Sequence, residues 1–192
     1  MERRVFERAL ACHCAPALLG VKAASLISLS AREYPKLETL AGEYNAKVSG
    51  PRFLVLGHCK ERSLLLVYRP QLLEEALSHP LARAMLAEAG YPVEPKGSNP
   101  PLPWLLRKLM DRLEGEGDFP HEVGLFLGYP PEDVESFLAN PEGCKLCGCW
   151  KVYHDVEGAK RLFRKFDACR TWLLKRLDGG EDLPSILERR AA

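Results

Sequence analysis

The sequence predicts an α+β domain, mostly helical, with a small and largely antiparallel sheet. Three observations carry the prediction. Two short apolar runs, Phe53–Leu56 and Leu64–Tyr68, flank the polar segment Lys60-Glu61-Arg62-Ser63, the pattern of a hairpin near 52–69 with largely buried strands. Helical spacing of apolar residues recurs through most of the remaining chain, most clearly over 156–177. A length of 192 residues with 46% hydrophobic content is enough for one core without staples, so 1–192 is read as a single domain.

In chain order, residues 2–12 are expected to form a short helix. Pro16 should open a second one at its favoured first position, running to about Leu29. Leu37, Leu40, Ala41, Tyr44 and Val48 keep a helical period that Gly50-Pro51 ends. After the hairpin, 71–78 and 81–89 read as helices with Pro80 between them. Glycine and proline crowd 90–103, a loop or linker and the candidate boundary within the chain. Trp104–Leu113 is amphipathic, with Leu105, Leu106, Leu109, Met110 and Leu113 on one side, and Glu114-Gly115-Glu116-Gly117 breaks it. Two short helices are expected next, one from near Pro120 and one from Pro131, then a strand near 149–154. The long helix that follows presents Ala159, Leu162, Phe163, Phe166, Cys169, Leu173 and Leu177 as its core face, and Trp104 and Trp172 are likewise placed on core faces.

Composition excludes several function classes. Lys+Arg 27 against Asp+Glu 26 leaves a net charge of +1, so no global field steers the chain to nucleic acid, and no such partner is expected. The longest stretch without a charge, Ala9–Val21, has 13 residues and contains His13 and Pro16. A membrane span takes about 20, so no membrane insertion is expected. Arg3 and Arg4 before Ala9-Leu10-Ala11-Cys12 imitate a lipoprotein site, but Glu7 and Arg8 occupy the place of its apolar stretch, and the expected location is the cytoplasm. Seven cysteines is an odd number and cannot all pair internally; in a reducing compartment they are buried hydrophobes, metal ligands or redox groups. The sequence contains no P-loop, no G-x-G-x-x-G and no G-x-S-x-G.

Three segments hold chemistry-bearing residues. In Cys12-His13-Cys14-Ala15-Pro16, Pro16 as a first helical residue would place Cys14 at a helix N-terminus, where the partial positive charge favours a thiolate. The alternative is a small buried residue at a helix junction. In Asp118-Phe119-Pro120-His121-Glu122, Asp118 would cap a helix whose first turn holds His121 and Glu122. The dipole there favours the neutral imidazole that a general base or a metal ligand requires. Adjacent on a helix, the His121 and Glu122 side chains diverge and need different partners. Cys144-Lys145-Leu146-Cys147-Gly148-Cys149 is a cysteine knuckle suited to tetrahedral metal, without a second pair at the usual spacing. The zinc-deaminase pattern fails, because His121 and Glu122 are adjacent and Pro141 is not next to Cys144. His58, His79 and His154 stand isolated and read as structural or solvated.

Several strings together resemble an uncharacterised family from anaerobic bacteria catalogued as domain of unknown function 3793. They are His13-Cys14-Ala15-Pro16 with Lys22, Val67-Tyr68-Arg69, and Phe119-Pro120-His121-Glu122-Val123-Gly124-Leu125-Phe126-Leu127-Gly128-Tyr129-Pro130 with Asp133-Val134. Cys147-Gly148 with Trp150-Lys151-Val152-Tyr153, and Cys169, complete the match, which covers nearly the whole chain. The resemblance implies no activity, substrate or cofactor. It does imply that Cys14, Cys147 and Cys169 belong to the common pattern while Cys12, Cys144 and Cys149 are additions.

Three functions follow as expectations. In the first, Cys14, His121 and Cys147 bind a transition metal, zinc or iron, or a metal-containing cofactor, since sulfur plus imidazole favours those ions. In the second, Cys14 is the nucleophile of a thiol enzyme, His121 its base and Glu122 or Asp133 the orienting carboxylate, with Arg69 and Lys22 as substrate-binding cations. In the third, the domain is a non-catalytic binding or adaptor module. Phe119–Pro130 is then a folding motif, with Gly124 and Gly128 permitting close packing and Phe126 and Tyr129 supplying core area.

Overall fold

A computed structural model describes residues 2–59, 61–93, 100–115 and 119–191. In chain order its elements are α1 (Glu2–Leu18), β1 (Ala24–Ser30), α2 (Leu37–Lys47), β2 (Arg52–Cys59), β3 (Arg62–Tyr68), α3 (Pro70–Leu77) and α4 (Pro80–Glu88). They continue as α5 (Leu102–Glu114), α6 (Val123–Phe126), α7 (Pro131–Ala139), β4 (Leu146–Cys147), β5 (Lys151–Val152), α8 (Val156–Asp178) and α9 (Leu183–Ala191). The class is α+β, as the sequence predicts. The backbone divides into two compact units, Met1–Pro70 with Lys165–Ala192, and Gln71–Arg164. The boundaries fall at neither end of the 90–103 loop, which lies within the second unit and whose residues 94–99 are outside the described residues, as is Asp118.

The first unit is built on an antiparallel sheet of order β1-β3-β2. The predicted hairpin supplies β2 and β3, in register from Arg52↔Tyr68 to Cys59↔Arg62 with an irregularity between Val55 and Gly57. Leu65 and Val67 of β3 enter a core with Phe6, Leu10 and Leu18 of α1 and with Leu37 and Tyr44 of α2. By the two-residue alternation of a strand, Leu66 is on the opposite face, and it too is fully buried. The third strand was not foreseen. Ala24–Ser30, expected to be helical, pairs with β3 from Ala24↔Tyr68 to Ser30↔Arg62.

The two-helix expectation for residues 2–29 is thereby corrected, and Pro16 shows why. It sits inside the last turns of the single helix α1 rather than opening a new one. A proline there has no N–H for the carbonyl four residues back, which is that of Cys12. Arg170 of α8 replaces the missing donor, its Nε donating to the Cys12 carbonyl at 2.9 Å. The helix then ends at Gly20, whose φ is +74°. Val21 N–H donates to the Pro16 carbonyl at 2.8 Å and Gly20 N–H to that of Ala17 at 3.2 Å, the paired bonds of a left-handed C-terminal cap.

In the second unit, Phe119–Pro130 folds locally. Gly128, at φ +69°, ends α6 with the same pair of bonds, Tyr129 N–H to the Gly124 carbonyl and Gly128 N–H to that of Leu125, both 3.0 Å. Pro131 then opens α7 at its first position. Phe126 is fully buried, and a Cβ on Gly124 would stand 3.0 Å from Val134 Cγ2 of α7. The strand expected near 149–154 is β5; it pairs with β4 as a separate two-stranded sheet instead of extending the larger one. Trp104 is a further correction. Although on the amphipathic helix α5, it is 63% exposed, because Leu102, Leu105, Leu106 and Leu109 form the buried stripe. No described helix is long and apolar enough to cross a membrane.

Candidate functional site

Cys14 lies in the interior of α1, not at a helix N-terminus, and is fully buried in the first unit's core. Burial pushes its thiol up to about 12 from an ordinary 9.0, and the Lys22 charge opposes that rise without cancelling it. The expected thiolate is therefore a protonated core thiol near neutral pH. Lys22 lies just past α1, its Nζ 5.8 Å from the centre of the Phe166 ring. Arg69, expected to anchor substrate, caps α1 instead. Its Nε donates to the Ala17 carbonyl at 3.0 Å and its Nη2 to that of Leu18, placing a cation on the negative end of the helix.

His121, Glu122 and Cys147 belong to the second unit. His121 and Glu122 do not occupy a helix's first turn, since α6 begins at Val123 with Glu122 as its N-cap residue, but their side chains do find different partners. Glu122 is buried and accepts hydrogen bonds from Arg112 Nε and, at 3.2 Å, from the Tyr91 hydroxyl, so its carboxylate is committed to an internal ion pair rather than to the imidazole. Burial, and then the Glu122 charge, hold the Tyr91 phenol well above its usual range. His121 turns the other way and is exposed, its ring 5.2 Å from that of Phe137 and edge-on at 74°. Among the described residues its ring nitrogens have no hydrogen-bond partner. Cys147 is exposed on the β4–β5 hairpin. Among the described residues, no three His, Cys, Asp or Glu side chains converge as a metal site would require.

The second unit does gather a different set. A cleft of about 260 Å³ runs between the Phe119–Pro130 string, α7 and the segment leading into β5. Tyr129 and Trp150 stack on one side with ring centres 5.3 Å apart, and Phe163 meets Trp150 edge-on at 4.7 Å. The Tyr129 hydroxyl donates to the Cys149 carbonyl at 3.1 Å, and burial pushes that phenol up to about 12. Phe119, Phe137 and His121 also line the cleft, with Lys151 beside Phe137, its Nζ 5.6 Å from the ring centre.

Asp133 holds these walls together. It is buried in the first turn of α7, and one carboxylate oxygen accepts Trp150 Nε1–H at 2.8 Å. The other accepts Tyr153 N–H at 2.8 Å and His154 N–H at 3.1 Å. One side chain thus joins α7 to the residues on either side of β5. The sequence identified His121 as a site residue but not its neighbours Phe119, Phe137, Trp150 and Lys151. A signal existed in the family resemblance, which rests in part on Phe119–Pro130, Asp133 and Trp150–Tyr153, three strings that supply lining residues of one cleft.

A family model described as "Protein of unknown function (DUF3793)" matches residues 10–187. No curated protein and no solved structure matches the chain.

Proposed function

The chain therefore belongs to that family of unknown function, and from its own geometry we propose that it is a non-catalytic binding module whose ligand enters the cleft of the second unit. The observation that carries the proposal is the composition of the cleft: stacked and edge-on aromatic rings around His121, whose nitrogens no described residue engages. Apolar concave walls with a few oriented polar groups suit a small ligand. Nothing comparable supports the other two expectations. Cys14 is a buried protonated thiol in the first unit, Glu122 is occupied by Arg112, and Asp133 by Trp150 and two backbone amides, so none is poised as nucleophile or orienting carboxylate. The proposal also keeps the domain in the cytoplasm and without a nucleic-acid partner, supported by its net charge of +1 and its odd number of cysteines.

Labelling the three tryptophans with 5-fluorotryptophan tests it. Trp150 is in the cleft wall, whereas Trp104 is elsewhere on the second unit and Trp172 belongs to the first. Titrating indole should shift the Trp150 fluorine resonance selectively, and Phe137→Ala should weaken the effect. Stoichiometric zinc or iron in natively purified protein, lost in His121→Ala, would instead favour the metal site and refute the binding module.

A further inference from the structure

We infer that the cleft selects a planar aromatic group carrying one anionic substituent, such as an aromatic carboxylate. The inference rests on the cleft being a binding site and adds the charge of what it binds. Two formal charges line it, Asp133 and Lys151, and their situations differ. The Asp133 carboxylate is buried and already accepts three N–H donors, so little of its charge is presented to a ligand. Lys151 is partly exposed and has three N–H donors to place. One goes to the Pro141 carbonyl at 2.7 Å. Another reaches Glu142 Oε1 only at 3.4 Å, and the Glu142 side chain is 91% exposed, so solvent screens that pair.

An anion entering the cleft can replace Glu142 at Lys151 at small cost. Because Nζ stands 5.6 Å from the Phe137 ring centre and His121 meets the same ring, a ligand anchored there lays its aromatic body along Phe137 with the imidazole beside it. A neutral ligand keeps the apolar contact and forgoes the ammonium. A cationic one is repelled by Lys151. The volume of about 260 Å³ suits one small ring system rather than an extended molecule.

The test uses the full chain labelled with 5-fluorotryptophan and three probes that share one ring system: indole-3-acetate, indole and tryptamine. The expected order of affinity at the Trp150 resonance is anion, neutral, cation, with indole-3-acetate tighter than indole by roughly ten-fold, the worth of one charge-assisted hydrogen bond. Lys151→Met should bring that ratio near one, and Lys151→Arg should retain it. In the unmutated protein, added salt should narrow the ratio, which keeps the inference testable even if Lys151→Met does not fold. Equal binding of indole and indole-3-acetate, or a ratio that survives Lys151→Met, overturns the charge selection and leaves the binding module standing. If no probe moves the Trp150 resonance, or Trp104 shifts equally, both fall.

Discussion

Asp133→Asn takes one charge and one acceptor from a carboxylate that holds three donors in a buried site. The asparagine carbonyl can still accept from the Tyr153 and His154 amides, which share one oxygen in the native side chain. Its NH₂ group must then face Trp150 Nε1–H, donor against donor, where a carboxylate oxygen accepted at 2.8 Å. Losing a hydrogen bond to a charged group and leaving a buried indole N–H unpaired costs about 2–3 kcal/mol. That is a large share of the roughly 5–15 kcal/mol that stabilises a typical domain. Urea unfolding followed by fluorine signals reads it unit by unit, Trp104 for the second and Trp172 for the first. Trp150→Phe removes the orphaned donor, so Asp133→Asn should cost less in that background, with a coupling of about 1–2 kcal/mol. A cost below about 0.5 kcal/mol, or the same cost in both backgrounds, would refute the role assigned to this carboxylate.

Cys14 makes a prediction about pH. Its folded-state value, near 12, stands above the ordinary 9.0, so the stability it contributes is complete below pH 9 and is lost as the pH rises toward 12. Cys14→Ala should therefore flatten the alkaline fall in stability, by up to about 1.4 kcal/mol per pH unit above pH 9, as measured by urea unfolding. In native protein at pH 8, a thiol reagent should modify the exposed Cys147 and Cys149 and spare Cys14 until denaturant is added. Arg69→Ala should destabilise the first unit by about 1–3 kcal/mol and speed hydrogen exchange at the Gly20–Lys22 amides, with Arg69→Lys recovering little because it lacks the planar fork. Gly124→Ala would drive a Cβ to 3.0 Å from Val134 and 3.2 Å from Tyr129, at a cost of about 1–3 kcal/mol. Adding Val134→Ala should return part of that in thermal unfolding.

The legible parts of this protein were those decided within a few residues. The hairpin showed in two apolar runs, the long helix in its periodicity, and the start of α7 in Pro131. The divergence of His121 and Glu122 followed from their adjacency alone. Their partners did not, because Arg112, Tyr91 and Phe137 come from three other segments. Residues 24–30 illustrate the limit. Ala-Ser-Leu-Ile-Ser-Leu-Ser is compatible with helix or strand, and pairing with β3 decides it. Pro16 likewise fits a helix start or a late turn, and the choice depends on the Arg170 guanidinium, which reaches the Cys12 carbonyl from 158 residues away.

What the sequence determined by itself is the α+β class, most of the element types, and the strings that make the candidate site. Backbone dihedral preferences and apolar periodicity are properties of neighbours, and those are written in order along the chain. The tertiary structure alone decided that Cys14 is a protonated core thiol, that Arg69 caps a helix, and that rings at 119, 129, 137 and 150 share one cleft. Desolvation and side-chain convergence depend on every group that surrounds a point in space, and most of those groups are distant in sequence.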